Sequence, residues 1–178
     1  MSSQTVYQAF LNHTLEINPP QSETEIEEII KNSPLKPSKA LIDLWKKVGP
    51  TEILYSSIKI EPPSASQEVN PNRFEGYSGF SKVAHQKVFF VGSSWYGTDS
   101  RTYWYEIADG EHKGKLVVFS YGALAVYLLD KTIKDLLDCI KEARYSEDVN
   151  LSEVLDKNII GSTPPLKDDL SAGETSYK

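Results

Sequence analysis

The order of secondary-structure signals along this chain constrains its fold more than any other feature of the sequence. Helical patterns come first, a run of strand patterns joined by short turns follows, and a further helical pattern comes after the strands. Consecutive strands with short connections favour antiparallel pairing, because parallel neighbours need a long crossover. The sequence therefore predicts an α+β fold with a single, mostly antiparallel sheet and helices packed on it.

The helices are marked by their capping residues and by the spacing of their apolar side chains. A first short helix is predicted over residues 4–12. Ser22 and Glu25 have the spacing of a capping box, which predicts a helix that begins after Ser22. The segment 38–48 places apolar residues at i, i+3, i+4 and i+7, which share one face of a helix. The last clear helix is predicted to begin near Asp130, with that residue as its N-cap.

Strand patterns occupy the middle of the chain. Residues 87–91 form a continuous apolar run, as expected for a strand covered on both faces. Residues 62–82 are polar and rich in Ser, Asn, Pro and Gly, so they are predicted to form a surface loop or a mobile insertion. Strands are predicted over residues 53–60, 87–91, 102–107, 115–119 and 123–129.

Length and charge predict how the chain is divided. A chain of 178 residues has the size of one domain. We expect residues 1–145 to form a single α+β domain, followed over 146–178 by a short helix at 151–157 and, from Gly161 on, a disordered acidic tail. From Tyr145 onward three lysines oppose seven carboxylates, so −4 of the formal net charge of −6 lies in this last segment.

Composition excludes several classes of protein. Cys139 is the sole cysteine, which excludes a disulfide framework and a cysteine-based zinc site. The first ten residues lack the basic and apolar regions of a signal peptide, and no apolar run is long enough to span a membrane, so a cytoplasmic protein is predicted. No concentrated basic surface is evident, so direct nucleic-acid binding is not expected. The acidic balance suits a basic partner, or it contributes only to solubility.

The sequence contains no pattern that predicts an enzyme. His13, His85 and His112 stand in separate contexts, and none has a companion at the spacing of metal ligands. No phosphate-binding glycine loop or nucleophile elbow is present. We therefore expect no catalytic residue, no cofactor and no metal ion. Glu106 shares a strand face with Trp104, where it would line a pocket or, alternatively, stand at an edge in water.

Aromatic residues are concentrated between Phe89 and Tyr127. Part of this set must form the core, but a sheet has two faces and helices can leave one of them open. Trp95 and Tyr96 fall in a predicted loop, residues 92–101. Aromatic residues on a loop either anchor a binding partner or plug the end of a sheet, and both interpretations stay open.

Short motifs between residues 22 and 143 complete the pattern. In chain order they are the acidic helix 23–30, Leu35-Lys36-Pro37, Val48-Gly49, Phe89-Phe90-Val91-Gly92, Tyr103-Trp104-Tyr105, Asp109-Gly110, Gly114-Lys115-Leu116-Val117 and Ile133-Lys134-Asp135-Leu136-Leu137. This series resembles the SUKH superfamily, which includes bacterial immunity proteins and a fungal cell-wall assembly regulator. The resemblance implies a protein-binding module without catalytic residues. Many bacterial members look like antidotes that neutralise a secreted toxin, often a nuclease, by binding it directly.

The function expected from these observations is that of an immunity protein for a cognate, basic, nuclease-like toxin, with the oligomeric state left open. Aromatic anchors with acidic neighbours suit a basic catalytic cleft. One alternative is a scaffold or regulatory protein that docks several partners through its tail and the 62–82 loop. Another is a small-molecule sensor or enzyme with a pocket under the aromatic cluster. The residues expected to bind the partner are Trp95, Tyr96, Asp99, Glu106 and Glu111.

Overall fold

The strands of the chain form one antiparallel sheet. The computed structural model describes residues 16–17, 22–47, 51–53, 58–61, 67–68, 71–96, 100–142 and 154–168. Within these ranges, eight strands pair in the order β1-β2-β3-β5-β6-β7-β8, with β4 beside β5, and every pair is antiparallel. The strands are β1 (Glu16–Ile17), β2 (Thr51–Ile53), β3 (Ile58–Ile60), β4 (Gln67–Glu68), β5 (Lys87–Tyr96), β6 (Ser100–Ile107), β7 (Lys115–Ser120) and β8 (Ala125–Thr132).

The helices complete the predicted α+β fold, which the structure confirms. They are α1 (Glu23–Asn32), α2 (Lys39–Lys47), α3 (Pro71–Phe74), α4 (Ile133–Glu142), a 3-10 turn (Phe80–Lys82) and a π-helical turn (Asp156–Ile160). The predicted capping box is present at the start of α1, where the Ser22 N–H donates to the Glu25 carboxylate at 2.9 Å. Among the described residues, no helix combines the length and apolar character needed to cross a membrane. The helix predicted over residues 4–12 lies outside the described residues.

Several of the predicted boundaries are wrong. Residues 53–60 do not form one strand, because β2 and β3 pair with each other as an antiparallel hairpin. The last helix begins at Ile133, since β8 continues through Asp130 to Thr132. Thr132 takes the capping role in place of Asp130, and its N–H and hydroxyl donate to the Asp135 carboxylate at 2.7 and 2.8 Å.

One face of the sheet carries the first hydrophobic core. The apolar stripes of α1, α2 and α4 and the π-helical turn pack on this face. Trp45 contacts the ring edge of Phe89 with 6.0 Å between centroids. Leu155 and Ile159 are also buried in this core, so the domain extends past the predicted boundary at residue 145.

The opposite face carries a second core, which agrees with the apolar run at 87–91, but the segment that covers it was not predicted. Residues 71–86 run across this face and bury four apolar side chains, and the Phe74 ring stacks on Phe119 at 4.2 Å. The prediction of a surface loop or mobile insertion is therefore wrong for residues 71–82. Residues 71–82 pack on this face because the aromatic rings of β5, β6 and β7 there are removed from water only when another segment covers them. Residues 62–66 and 69–70 lie outside the described residues.

Residues 163–168, here called the C-terminal strap, lie on this second core. The Leu166 N–H donates to the Val126 carbonyl at 2.8 Å, and the Asp168 carboxylate accepts from the Gly79 N–H at 3.2 Å. Gly79 has a φ of 80°, and a Cβ there would lie 2.4 Å from the Leu166 Cβ. The disorder predicted from residue 161 onward is therefore wrong as far as Asp168, because Leu166 has an apolar site to fill. Residues 151–153 and 169–178 lie outside the described residues.

Candidate functional site

The residues considered for chemistry do not converge. No group of three or more His, Cys, Asp or Glu side chains that could hold a metal ion is found in the described ranges. His85 and His112 are exposed at separate positions, and Cys139 is buried on α4. His13 lies outside the described residues. The arrangement therefore offers neither a metal centre nor a nucleophile with a base, within the part of the chain that the structure describes.

Glu106 is a structural residue and not a surface contact. Its side chain is 1% exposed. One carboxylate oxygen accepts from the Ser38 N–H at 2.8 Å and the other from the Ser38 hydroxyl at 2.5 Å. Ser38 precedes α2, and its hydroxyl oxygen in turn accepts from the Leu41 N–H at 3.1 Å. The carboxylate thus joins the sheet to the positive end of α2, which corrects both its predicted partner-binding role and its alternative placement in water.

The electrostatics of Glu106 follow from this burial. Loss of water raises the pKa of its carboxyl above the ordinary value, while the two Ser38 hydrogen bonds and the Lys113 cation oppose the rise. A perturbed, buried carboxyl is a common sign of a catalytic acid. Here both oxygens are engaged in holding a helix, so the perturbation has a structural cause.

The remaining predicted contacts are divided between two ends of the sheet. Trp95 and Tyr96 belong to β5 and not to a loop, and they pair with Arg101 and Ser100 of β6. Their side chains and all of Asp99 lie outside what the structure describes. Glu111 is exposed in the turn between β6 and β7, at the opposite end.

This separation is close to the full width of a standard protein–protein interface, so the predicted residues are not neighbours. Strand β6 has eight residues, and at about 3.4 Å per residue its ends lie roughly 25 Å apart. The predicted set therefore does not form a compact site. Trp95 and Tyr96 mark one end of the sheet, and the candidate site is built from the described residues at that end.

An open hollow of about 330 Å³ lies at this end, on the second face of the sheet. We call it the arginine hollow. Its lining combines three cations, one carboxylate and three other side chains, so the charge of its wall is positive. The lining residues are Lys59, Glu61, Arg73, Phe90, Ser93, Arg101 and Tyr103.

The two sides of the hollow are positioned by backbone features. On one side, a bulge between Phe90 and Gly92 bends β5 against β3. A Cβ on Gly92 would lie 2.1 Å from the Lys59 carbonyl oxygen, so only glycine allows β3 this close. This approach places Lys59 and Glu61 at the wall, where they form an ion pair of 3.0 Å.

On the other side, α3 holds Arg73 in place. Phe74 anchors this short helix in the second core, with its ring 5.5 Å from the Tyr103 ring. The Arg73 guanidinium carbon lies 3.9 Å from the centroid of the Tyr103 ring. Stacking uses the flat face of the guanidinium, so the N–H donors on its edge stay available to a ligand.

Two tyrosines of the second core, Tyr105 and Tyr77, are neutral. Burial raises the pKa of Tyr105 to about 12, although the Arg73 cation opposes the rise. Burial likewise raises the pKa of Tyr77, with smaller effects from neighbouring tyrosines. Their hydroxyls are therefore protonated at physiological pH and add no negative charge near the hollow.

Two exposed hydrophobic side chains lie in the turn after β7, at the same end of the sheet as the hollow. The Tyr121 N–H donates to the Arg101 carbonyl at 2.7 Å, which fixes the turn after β7 at this end of the sheet. Tyr121 and Leu124 are each 53% exposed. Leu124 has a φ of 45°, an unfavourable conformation for a bulky residue. The hollow and this turn together form an exposed surface of arginine, tyrosine and leucine.

Sequence reasoning missed Arg73, Arg101 and Tyr121. Arg73 lay in the segment interpreted as a loop, and no local pattern links it to Arg101. One signal was available: the chain has three arginines, of which Arg73 directly precedes the buried Phe74 and Arg101 lies two residues before the buried Tyr103 on the same strand face. An arginine beside a buried ring is a common component of binding surfaces.

A second cavity lies between α4 and the π-helical turn, with a volume of about 480 Å³. Its polar lining includes Asp135 and Asp138. Asp135 caps α4 through Thr132, and Asp138 is hydrogen-bonded to Lys134. These carboxylates have local structural partners, so the cavity is a weaker candidate than the arginine hollow.

The chain was compared with protein-family models, with curated proteins and with solved structures, and none of the three comparisons found a match. The relationship to the SUKH superfamily therefore stays a prediction from the sequence motifs.

Proposed function

We propose that the protein is a binding module that recognises another protein through the arginine hollow and the turn beside it. The observation that carries this proposal is the exposed grouping of Arg73, Arg101, Tyr121 and Leu124 at one end of a sheet that is otherwise packed on both faces. Arginine and tyrosine are enriched among the residues that dominate protein–protein binding energy. Exposed apolar side chains beside them gain when a partner removes them from water.

The kind of partner follows from the sequence resemblance. In the immunity proteins that the chain resembles, the partner is a toxin that is neutralised by direct binding. The element order that carries this resemblance is two helices, a series of strands and a closing helix; the fold has these elements with α3 and a 3-10 turn inserted among the strands. We therefore propose an immunity-type role, in which the hollow end of the sheet occludes a functional surface of a cognate toxin.

Charge acts at two distances in this proposal. The net charge of −6 attracts a basic toxin at long range and accelerates the encounter. At contact, the described surface presents cations, because Glu106 is buried and Glu111 is at the other end of the sheet. A basic toxin domain is thus expected to dock with an acidic group of its own against the hollow.

The test is capture followed by neutralisation. Tagged full-length protein is used to isolate its partner from the source organism, and the purified partner is then titrated with wild type, Arg101→Glu or Lys157→Glu. Both variants change the net charge equally, but Lys157 is an exposed residue of the π-helical turn, away from the hollow. We expect wild type and Lys157→Glu to abolish toxicity at equal stoichiometry, and Arg101→Glu to bind more weakly.

Other outcomes would contradict the proposal. A partner without toxic activity would contradict the immunity role. Neutralisation that is equally strong with Arg101→Glu would show that the arginine hollow is not the binding surface. Several partners that are lost on deletion of residues 169–178 would favour a scaffold. That deletion is preferable to a cut at residue 161, since Leu166 packs in the second core.

A further inference from the structure

The C-terminal strap lies on the second core in the manner of a bound peptide. Its residues, 163–168, form neither helix nor strand. The two prolines before Leu166 hold the backbone in an extended conformation. Leu166 is half-buried against the second core, whereas the residues on either side of it are exposed. The strap therefore contacts the domain through one apolar side chain and through the carboxylate of Asp168, two residues later.

The groove under the strap contacts the backbone of the docked segment. This groove, here called the strap site, consists of residues 78–81 and Val126 of β8. The Leu166 N–H donates to the Val126 carbonyl at 2.8 Å, and the Ser78 hydroxyl donates to the Leu166 carbonyl at 3.3 Å. Any residue can form such bonds, so they fix the position and direction of a bound segment without selecting its sequence.

The strap site also contacts a carboxylate. The Asp168 carboxylate accepts from the Ser81 hydroxyl at 2.8 Å and from the Gly79 N–H at 3.2 Å. These two hydrogen bonds hold the pKa of Asp168 below its ordinary value, and the Lys82 cation acts in the same direction. The site therefore favours an ionised acidic residue over a neutral one at this position.

Gly79 shapes the site for the leucine. Its φ of 80° is a conformation that residues with a side chain rarely adopt. A Cβ there would lie 2.4 Å from the Leu166 Cβ and 2.5 Å from the Leu166 carbonyl oxygen. Only glycine therefore lets the segment approach closely enough to place its leucine on the second core.

The strap site adjoins the turn after β7. The Ser78 N–H donates to the Leu124 carbonyl at 2.8 Å, and Tyr121 and Leu124 in this turn are each 53% exposed. A protein that covers the turn thus lies next to the strap site. The strap itself is fixed by one half-buried leucine and by hydrogen bonds near the surface, which is typical of a segment that opens locally at low cost.

We infer that the strap site binds an extended segment of another protein in which a leucine is followed two residues later by Asp or Glu, and that this segment displaces the strap. The inference goes beyond the proposed function, because no residue of the arginine hollow takes part and the strap defines the ligand. A tethered strap has an effective concentration on the order of millimolar. The identical strap of a second copy does not overcome that advantage, whereas a protein that also covers the turn does.

The test measures peptide binding to the full-length protein by fluorescence anisotropy. The probe is a fluorescein-labelled peptide with the sequence of residues 162–168 and an amidated C-terminus, so that its sole carboxylate is that of the aspartate. Leu166→Ala weakens the strap and leaves the strap site unchanged, and Lys167→Ala is the matched control at an exposed strap residue. We expect Leu166→Ala to bind the peptide roughly tenfold more tightly than wild type, because the competing strap is weakened, and Lys167→Ala to match wild type.

Peptide and site variants identify the recognised groups. In the Leu166→Ala protein, a peptide with alanine for its leucine or asparagine for its aspartate should bind roughly threefold to tenfold more weakly. Adding Ser81→Ala should weaken the original peptide over the same range, and Ser81 is exposed, so the fold should not depend on it. An alanine peptide that retains only Leu-Ala-Asp or Leu-Ala-Glu should bind within about threefold of the original.

Three results would overturn the inference. Leu166→Ala that does not bind the peptide at roughly 1 mM would show that the groove is not a peptide site. Binding of the exact strap sequence but not of the Leu-Ala-Asp peptide would identify a latch specific to this chain. A wild-type dimer in light scattering that Leu166→Ala dissociates would identify a second copy as the occupant. The capture test with Arg101→Glu uses a different surface, so either proposal can fail while the other stands.

Discussion

Replacing Glu106 by alanine tests whether a buried carboxylate holds α2 on the sheet. In the wild type the carboxylate accepts both the N–H and the hydroxyl of Ser38, at 2.8 and 2.5 Å. Alanine removes both acceptors and leaves the start of α2 without its link to β6. Glutamine is the matched control, because its side-chain oxygen can still accept from the Ser38 N–H while it carries no charge.

The size of the effect can be worked from these contacts. Hydrogen bonds to a charged group contribute about 1.5–3 kcal/mol each, and relief from the carboxylate's own desolvation offsets part of that sum. We therefore expect Glu106→Ala to lower the free energy of unfolding by about 2–4 kcal/mol. In a chain of this length that corresponds to a fall in Tm of roughly 5–15 °C. Glu106→Gln should stay within about 1 kcal/mol of wild type.

Urea unfolding followed by circular dichroism measures these differences. Hydrogen exchange adds a local readout, since the first turn of α2 should lose protection in Glu106→Ala before the strands do. Equal unfolding midpoints for wild type and Glu106→Ala would refute the reasoning, because the carboxylate would then contribute nothing to the docking of α2.

The pH dependence of the same pair of proteins gives the sign of the electrostatic effect. Burial raises the pKa of Glu106 above its unfolded value of about 4.5, so the fold favours the protonated form. The stability that this provides is complete below the unfolded pKa and is lost as pH rises through the folded pKa. We expect wild type to lose stability relative to Glu106→Gln from about pH 4.5 upward. A wild type that instead gains relative stability over that range would show that its pKa is lowered.

Three further substitutions test the second core and the hollow. Gly92→Ala places a Cβ 2.1 Å from the Lys59 carbonyl oxygen and should separate β3 from β5. We expect the free energy of unfolding to fall by about 2 kcal/mol or more, measured by thermal unfolding. An unchanged Tm would mean that the strands do not approach so closely. Phe74→Ala removes a fully buried ring and should lower the free energy of unfolding in urea by about 3–5 kcal/mol. A much smaller loss would contradict the packing of Phe74 in the second core. Gly79→Ala is expected to release the C-terminal strap, measured as faster hydrogen exchange at the Leu166 amide with the sheet still protected, and unchanged exchange there would exclude a docked strap.

The parts of the fold that the sequence predicted are those with local causes. The capping box joins residues three apart, so it could be found from the sequence and is present in α1. The apolar stripe of α2 follows from helical geometry, and Leu41, Leu44 and Trp45 are buried as predicted. Antiparallel pairing of β5 to β8 follows from the short turns between them.

The parts that were missed depend on contacts between distant residues. Strand alternation correctly places Glu106 on the face of Trp104, but its partner Ser38 lies 68 residues earlier in the chain. The segment 71–86 has a polar composition, and only the apolar second face of the sheet reveals why its four apolar side chains become buried. The average composition of this segment does not reveal that these four side chains are buried.

The candidate site shows the same division. Trp95 and Tyr96 of β5 indicated the same end of the sheet as the arginine hollow. Of the acidic residues assigned with them, Glu106 is buried and Glu111 lies at the other end of the sheet, while Asp99 lies outside the described residues. Arg73 and Arg101 are 28 positions apart in sequence and meet only because α3 crosses β6.

The C-terminal strap also has a consequence for how the chain folds. Most pairs in the sheet join neighbouring strands, so they close short loops and can form early. The contact between the Ser78 hydroxyl and the Leu166 carbonyl closes a loop of 88 residues. Its entropy of closure is repaid only once the sheet and α3 already present a formed site for Leu166. We therefore expect the strap to dock last, and a polypeptide still emerging from the ribosome to carry its completed sheet with the Leu166 site of the second core uncovered until residue 166 is free to reach it.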